Sequence, residues 1–369
     1  MRRIRQARIG FVLLLAASLA GSLTAGQALW SDQAAASYLD GRMDFWIGWQ
    51  MAARDHDTFC VSCHTVLPYA LARPALRTAL AESGPSSPER KLLDNVTKRV
   101  RMWSEVEPFY PDATRGVPKT AESRGTESIL NALILATYES PSSPQAALSS
   151  AARQAFDNMW AQQLTTGDDK GAWPWLQFHN APFEGDSQYY GATLAAIAVG
   201  AAPAGYRESS AIQDRLQLLR GYLSRARDSQ TLMNRVMLLW ASVRIPGLLT
   251  PAERSAIVTE ALSKQQPDGG FSLSAFLGPW KRRDNTPLDA RSDGLATGLV
   301  AFVLTQDSAS SHSAQIARAV AWLRSNQEKS DGRWLAYSPN KERDLSTNVG
   351  KFMSDAATAY AVMALEQAK

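Results

Sequence analysis

Six stretches of this chain, at 62–72, 128–138, 189–199, 231–241, 295–304 and 356–365, are rich in alanine, nearly free of charge and apolar on every side. A helix that is apolar all round has no face to offer water and must be buried on all sides. The stretches recur about every 60 residues with one shorter step, the mark of a repeated structural unit. Between them run charged segments near 33–49, 88–103, 143–163, 207–227, 251–266 and 313–327. These carry apolar residues at helical spacing, as Ile316, Val320 and Leu323 do beside Arg318 and Arg324. Ser87-Pro88 and Thr250-Pro251 suit a cap followed by proline at the first helical position. Six buried helices alternating with six half-exposed ones predict an all-α fold, an α6/α6 toroid with an inner and an outer ring. An open superhelical array is the alternative. The buried stretches show no polar face for an open concave surface, which favours closure. The connections from outer to inner helices are mostly long (50–60, 104–125, 164–187, 267–291 and 328–353), so one rim is built up, and long loops commonly carry function.

On that rim stand the two cysteines of the chain, in Cys60-Val-Ser-Cys63-His64. This is the C-x-x-C-H spacing of a c-type haem attachment site: two thiols form thioethers and the histidine supplies an axial ligand. The spacing predicts covalent haem c on Cys60 and Cys63 with His64 on the iron. Zinc is the alternative cofactor, and it would need further ligands from elsewhere. A disulfide would not require His64, and a redox C-x-x-C pair is expected near a βαβ pattern, which is not seen here. Candidates for a sixth ligand from the same rim are His179, Met102 and Met353.

The first 28 residues read as a signal peptide or signal anchor. Arg2, Arg3, Arg5 and Arg8 precede an apolar run, and Gly26-Gln27-Ala28 reads as a candidate cleavage site. The expectation is export to the periplasm, with an uncleaved anchor in the inner membrane as the alternative, and a single toroid over 30–369. The formal net charge of +4 equals those four arginines, so the chain beyond Ala28 is neutral. The basic balance therefore gives no argument for nucleic acid as a partner.

One motif carries a resemblance. Arg318-Ala-Val-Ala-Trp322-Leu323, then Gln327, Gly332 and Trp334, resembles the QW repeat of squalene-hopene and oxidosqualene cyclases, with Ala319 where the repeat has glycine. Leu262, Gln266, Gly269 and Phe271 form a looser copy, and Met159, Gln163, Gly171 and Trp173 a third. The resemblance implies the terpenoid cyclase–prenyltransferase toroid, with Gln and Trp tying the end of an outer helix to the next loop. It does not imply cyclisation. The D-x-D-D-T-A acid motif is missing: the best windows, Ser354-Asp355-Ala-Ala-Thr358-Ala359 and Asp293-Gly-Leu-Ala296-Thr297, keep the threonine and lose the acid pair. Without a strong acid, alkene protonation has no proton source.

Acids gather at the starts of inner helices (Glu127, Asp186, Asp228, Asp293 and Asp355), where capping accounts for them first. Together these features point to an exported haem-c protein on a cyclase-like toroid. Its role would be electron transfer or oxidoreductase chemistry on an apolar or isoprenoid-like ligand in the ring, with a redox partner in the periplasm or membrane. The alternative is a haem-free, squalene-cyclase-like protein that binds lipid or zinc.

Overall fold

A computed structural model of the chain describes residues 30–139, 147–306 and 313–369, so the expected signal segment lies outside the described residues. Among the described residues, twelve long helices run in order: α1 Asp32–Gly48, α2 Val66–Ala79, α3 Ser87–Arg101, α4 Lys119–Tyr138, α5 Ser150–Ala161, α6 Tyr189–Ala201, α7 Ser210–Ala226, α8 Leu232–Arg244, α9 Pro251–Leu262, α10 Gly294–Thr305, α11 Ser313–Ser325 and α12 Phe352–Gln367. The even-numbered helices are the apolar stretches. Each packs on the next, from α2 through α4, α6, α8 and α10 to α12, and α12 packs back on α2. The ring is therefore closed, as the missing polar face required. The odd-numbered helices lie outside and cover the seams. A two-stranded hairpin, β1 Ala53–Arg54 with β2 Thr58–Phe59, joins α1 to α2.

Local chemistry sets the helix ends. Thr250 and Glu253 form a reciprocal capping box at α9, with Pro251 in the first turn. At α3 the cap is Ser86, one residue before the expected serine, because Glu89 three residues on completes the box. Helix α4 starts nine residues before the expected 128. Its polar first turns are held by pairing: Lys119 binds Glu122, and Arg99 from α3 binds Glu127, with both members of the second pair fully enclosed. Gly125 lets the backbone of Pro174 lie against this helix, since a Cβ there would stand 2.0 Å from the Pro174 carbonyl oxygen.

The glutamine–tryptophan pattern forms the braces of the outer ring. Gln163 Nε2 donates to the Gly171 and Arg215 carbonyls, and Gln327 Nε2 to those of Gly332 and Ser31. Trp173 and Trp334, both buried, donate their indole N–H to Met159 and Leu323 at the ends of α5 and α11. In the middle copy it is Gln265, one residue before the expected Gln266, that reaches the Gly269 and Gln315 carbonyls. Each brace links the end of one outer helix to the start of the next. The last links α11 to the cap of α1 and so closes the outer ring.

Gly171 has φ of 101°, and a Cβ on it would stand 2.0 Å from the Leu218 carbonyl oxygen. Gly171→Ala is expected to destabilise the fold by more than about 1 kcal/mol, since alanine meets both a disfavoured backbone conformation and a clash. A chemical denaturation midpoint equal to that of the unsubstituted protein would refute this brace geometry.

Two buried ion pairs position the built-up rim. Asp355, at the start of α12, accepts hydrogen bonds from Arg42 Nε (2.7 Å) and Tyr38 (2.8 Å) on α1 and from Thr65 (2.7 Å) before α2. This one carboxylate joins the first helix pair to the last helix. Arg99 does the same for the next sector, reaching Glu127, Thr58 and the Glu107 carbonyl.

Candidate active site

The long loops meet around a cavity of about 670 Å³ at the mouth of the ring, within the range of small-ligand sites. Its floor comes from the segment leading into α2. Trp46 Nε1 donates to the Cys60 carbonyl at 2.7 Å, and the Cys60 N–H donates to Ala52 at 2.8 Å, which fixes 60–64 under the end of α1. His64 stacks on Phe352, with ring centroids 4.3 Å apart, and meets Trp46 edge-on. Burial holds its pKa down to about 3, so the imidazole is neutral. Thr65 Oγ1 lies 3.0 Å from His64 Nδ1 and gives its own proton to Asp355. The Thr65 oxygen must then accept from His64, which places the ring proton on Nδ1 and leaves Nε2 as a hydrogen-bond acceptor.

One wall is the loop 178–184. Asn180 and Glu184 pair through both backbone N–H groups at 2.8 Å. Arg283 donates to the Phe178 and His179 carbonyls and the Asn180 side chain, Asn340 to the Ala181 carbonyl, and Trp175 to the Phe183 carbonyl. Five anchors make a loop without regular structure rigid. They present the Glu184 carboxyl to the cavity. Burial pushes Glu184 up to about 7, against the lowering effects of Asn180 and Lys119. A carboxyl at that value is half protonated at neutral pH and can give or take a proton. Glu107 is a second carboxyl on the lining.

Aromatic and cationic side chains make up a further part of the lining. Trp49, Phe109, Tyr110 and Phe178 provide flat apolar faces, with Tyr110 set edge-on to Phe178 at 5.0 Å. Arg54 and Arg115 stand over the Tyr110 ring at 5.3 and 5.6 Å, and Arg343 completes the rim.

The structure brings Cys60, His64 and Met353 to this one cavity. Cys63 is 1% exposed and does not line it. Burial pushes the Cys60 thiol up to about 12 and raises Cys63 well above its ordinary value, so both stay protonated. His179 lies outside the lining, stacked on Trp280 at 4.4 Å and bound to Asp186. Met102 ends α3 away from the cavity. The acids singled out at inner-helix starts do not line the cavity either. Asp293 caps α10, Asp228 pairs with Arg227, and Glu127 and Asp355 are structural ion pairs. Sequence reasoning missed Glu184. The available signal was an acid in the long loop 164–187 among Trp173, Trp175, Phe178 and Phe183.

No family model matches the chain, and no curated protein matches it. Solved structures do. The unsaturated glucuronyl hydrolase of Bacillus sp. GL1, responsible for the degradation of glycosaminoglycan, aligns with a TM-score of 0.53 at 11% identity over 90% of this chain and 94% of its own. A UGL variant with dGlcA-Glc-Rha-Glc aligns with a TM-score of 0.51 at 11% identity, over 90% and 95%. These likenesses establish the α/α toroid, and they correct two expectations. The glutamine–tryptophan copies are braces of a toroid and do not make the chain a relative of terpene cyclases. The reading as a cytochrome-c-like haem protein for electron transfer or redox chemistry gives way, as does its squalene-cyclase-like lipid or zinc alternative. The structural neighbours are glucuronyl hydrolases, and the described residues hold no group of three or more His, Cys, Asp or Glu that could hold a metal ion. Within the pentapeptide, Cys60 and His64 line the cavity, while the Cys63 thiol is turned away from the open space. The fold is thus an α/α toroid similar to those of these two solved structures, with an aromatic, arginine-rimmed cavity at its mouth.

Proposed function

We propose that the chain is a hydrolase acting on an anionic oligosaccharide, with Glu184 as the proton donor. The observation that carries this is a rigidly held carboxyl with a pKa near neutrality in an aromatic-walled cavity. The aromatic faces suit the apolar faces of sugar rings, and Arg54, Arg115 and Arg343 suit a carboxylate or sulfate on the chain. The glucuronyl hydrolases of the same fold act on such glycans, which supports this substrate class. In the reaction Glu184 protonates the leaving oxygen as the glycosidic C–O bond breaks. Water supplies the hydroxyl to the sugar carbon, and the Glu107 carboxylate takes the water's proton. His64 is too weak a base for that task at pKa about 3, and its Nε2 instead accepts from a sugar hydroxyl.

The test is release of reducing ends from uronate-terminated oligosaccharides, followed by mass spectrometry. Trp49→Ala should raise KM about tenfold, roughly 1–2 kcal/mol of lost apolar contact, with kcat little changed. An unchanged KM would remove Trp49 from the binding surface.

A further inference from the structure

The ring has a second cavity, at the rim opposite the site just described. It has a volume of about 640 Å³ and opens among the C-terminal ends of the inner helices. From the geometry we infer that it binds a long-chain carboxylate, with the chain inside the ring and the head on Arg244.

The apolar part of the wall comes from Leu71, Leu133, Ile197, Phe302 and Met363 on five different inner helices, beside polar residues such as Gln367. Trp240 on α8 lies among them, 3% exposed, edge-on to Phe302 at 5.1 Å. Its indole N–H is buried without an acceptor. Thr78 and Thr137 spend their hydroxyl protons on helix carbonyls, so they add no free donor.

The charges lie at the mouth. Glu366 is bound by Lys369, which also reaches Asp32. Arg244 follows Trp240 by four residues on the same face of α8. Its Cβ packs against Gly200 on α6, which fixes the stem. Among the described residues no carboxylate pairs with it. Arg244 reaches the surface, where desolvation and the neighbouring Arg207 disfavour its charge; the Arg207 Nε is buried without a partner. A chamber walled largely by apolar side chains, in which Arg244 is the lining charge that no described carboxylate pairs, selects a ligand with an apolar body and one anionic end. A neutral chain leaves Arg244 unmatched, and a cationic head is repelled by it. This site shares no lining residue with the oligosaccharide cavity.

The test is displacement of a fluorescent fatty-acid analogue from the full chain by dodecanoate, dodecanol and dodecyltrimethylammonium. Dodecanoate should compete at one site per chain, at least tenfold better than the other two. Arg244→Ala should remove that preference. Ala75→Phe, which fills the chamber from α2, should abolish binding while thermal melting and hydrolysis at the other rim are retained. If Ala75→Phe fails to fold, Leu133→Phe reads the same chamber from α4. Equal competition by dodecanol, or binding that survives both the Arg244 and the cavity-filling substitutions, would overturn the inference.

Discussion

Glu184→Gln should lower kcat by roughly 10²- to 10⁴-fold, the usual contribution of a positioned general acid, with KM nearly unchanged. The amide keeps the shape and the cavity contacts but cannot release a proton. The pH dependence gives the sharper reading. Glu184 must be protonated to act, so activity should fall as pH rises through about 7, and that limb should vanish in the variant. The same shift acts on stability. Folding raises the pKa of this carboxyl from 4.5 to about 7, so the folded state holds the extra proton between those values. Its stabilising effect is fully present below about pH 4.5 and is lost as pH rises to about 7. Glu184→Gln should flatten that slope. A residual kcat within threefold of the unsubstituted protein would exclude Glu184 as the acid.

Asp355→Ala should be strongly destabilising. It leaves Arg42 enclosed, with a side chain only 6% exposed, and removes the acceptor shared by Tyr38 and Thr65. Breaking a buried pair by deleting one partner costs about 3–5 kcal/mol, because the remaining charge is uncompensated. Replacing both members, Arg42→Met with Asp355→Leu, should recover part of the loss, since no charge is then stranded. Guanidinium denaturation followed by far-UV circular dichroism checks both. A single variant within about 1 kcal/mol of the unsubstituted protein would show that the ring closes without this junction. The loss should also reach activity, because Asp355 holds Thr65, which sets the His64 tautomer.

The ring was legible because its signal is periodic. Uncharged stretches such as 189–199 and 295–304 have no solvent face, and burial is the one environment that suits them. The start of α4 was not legible, because its first turns are polar and their partners, Arg99 above all, lie far away in sequence. The braces were legible to within one residue. Gln265 and Gln266 are adjacent and chemically identical, and only the helix phase decides which reaches Gln315. The site was legible in place and not in chemistry. The long loops pointed to the rim where the cavity lies, and Cys60 and His64 line that cavity. The C-x-x-C-H spacing, however, says nothing of which way each thiol points, and Cys63 turns inward. Glu184 stood in no motif. Its raised pKa comes from burial by loops that meet only in the fold, and no local pattern encodes that.

The most direct test is turnover by the purified full chain of a uronate-terminated oligosaccharide, followed across pH 5–9 with Glu184→Gln in parallel. The account predicts cleavage products of the expected mass, a falling limb near pH 7 and its loss in the variant. No cleavage and no saturable binding of such glycans, with a c-type haemochrome band in the same preparation, would contradict it and return Cys60, Cys63 and His64 to the centre of the protein's chemistry.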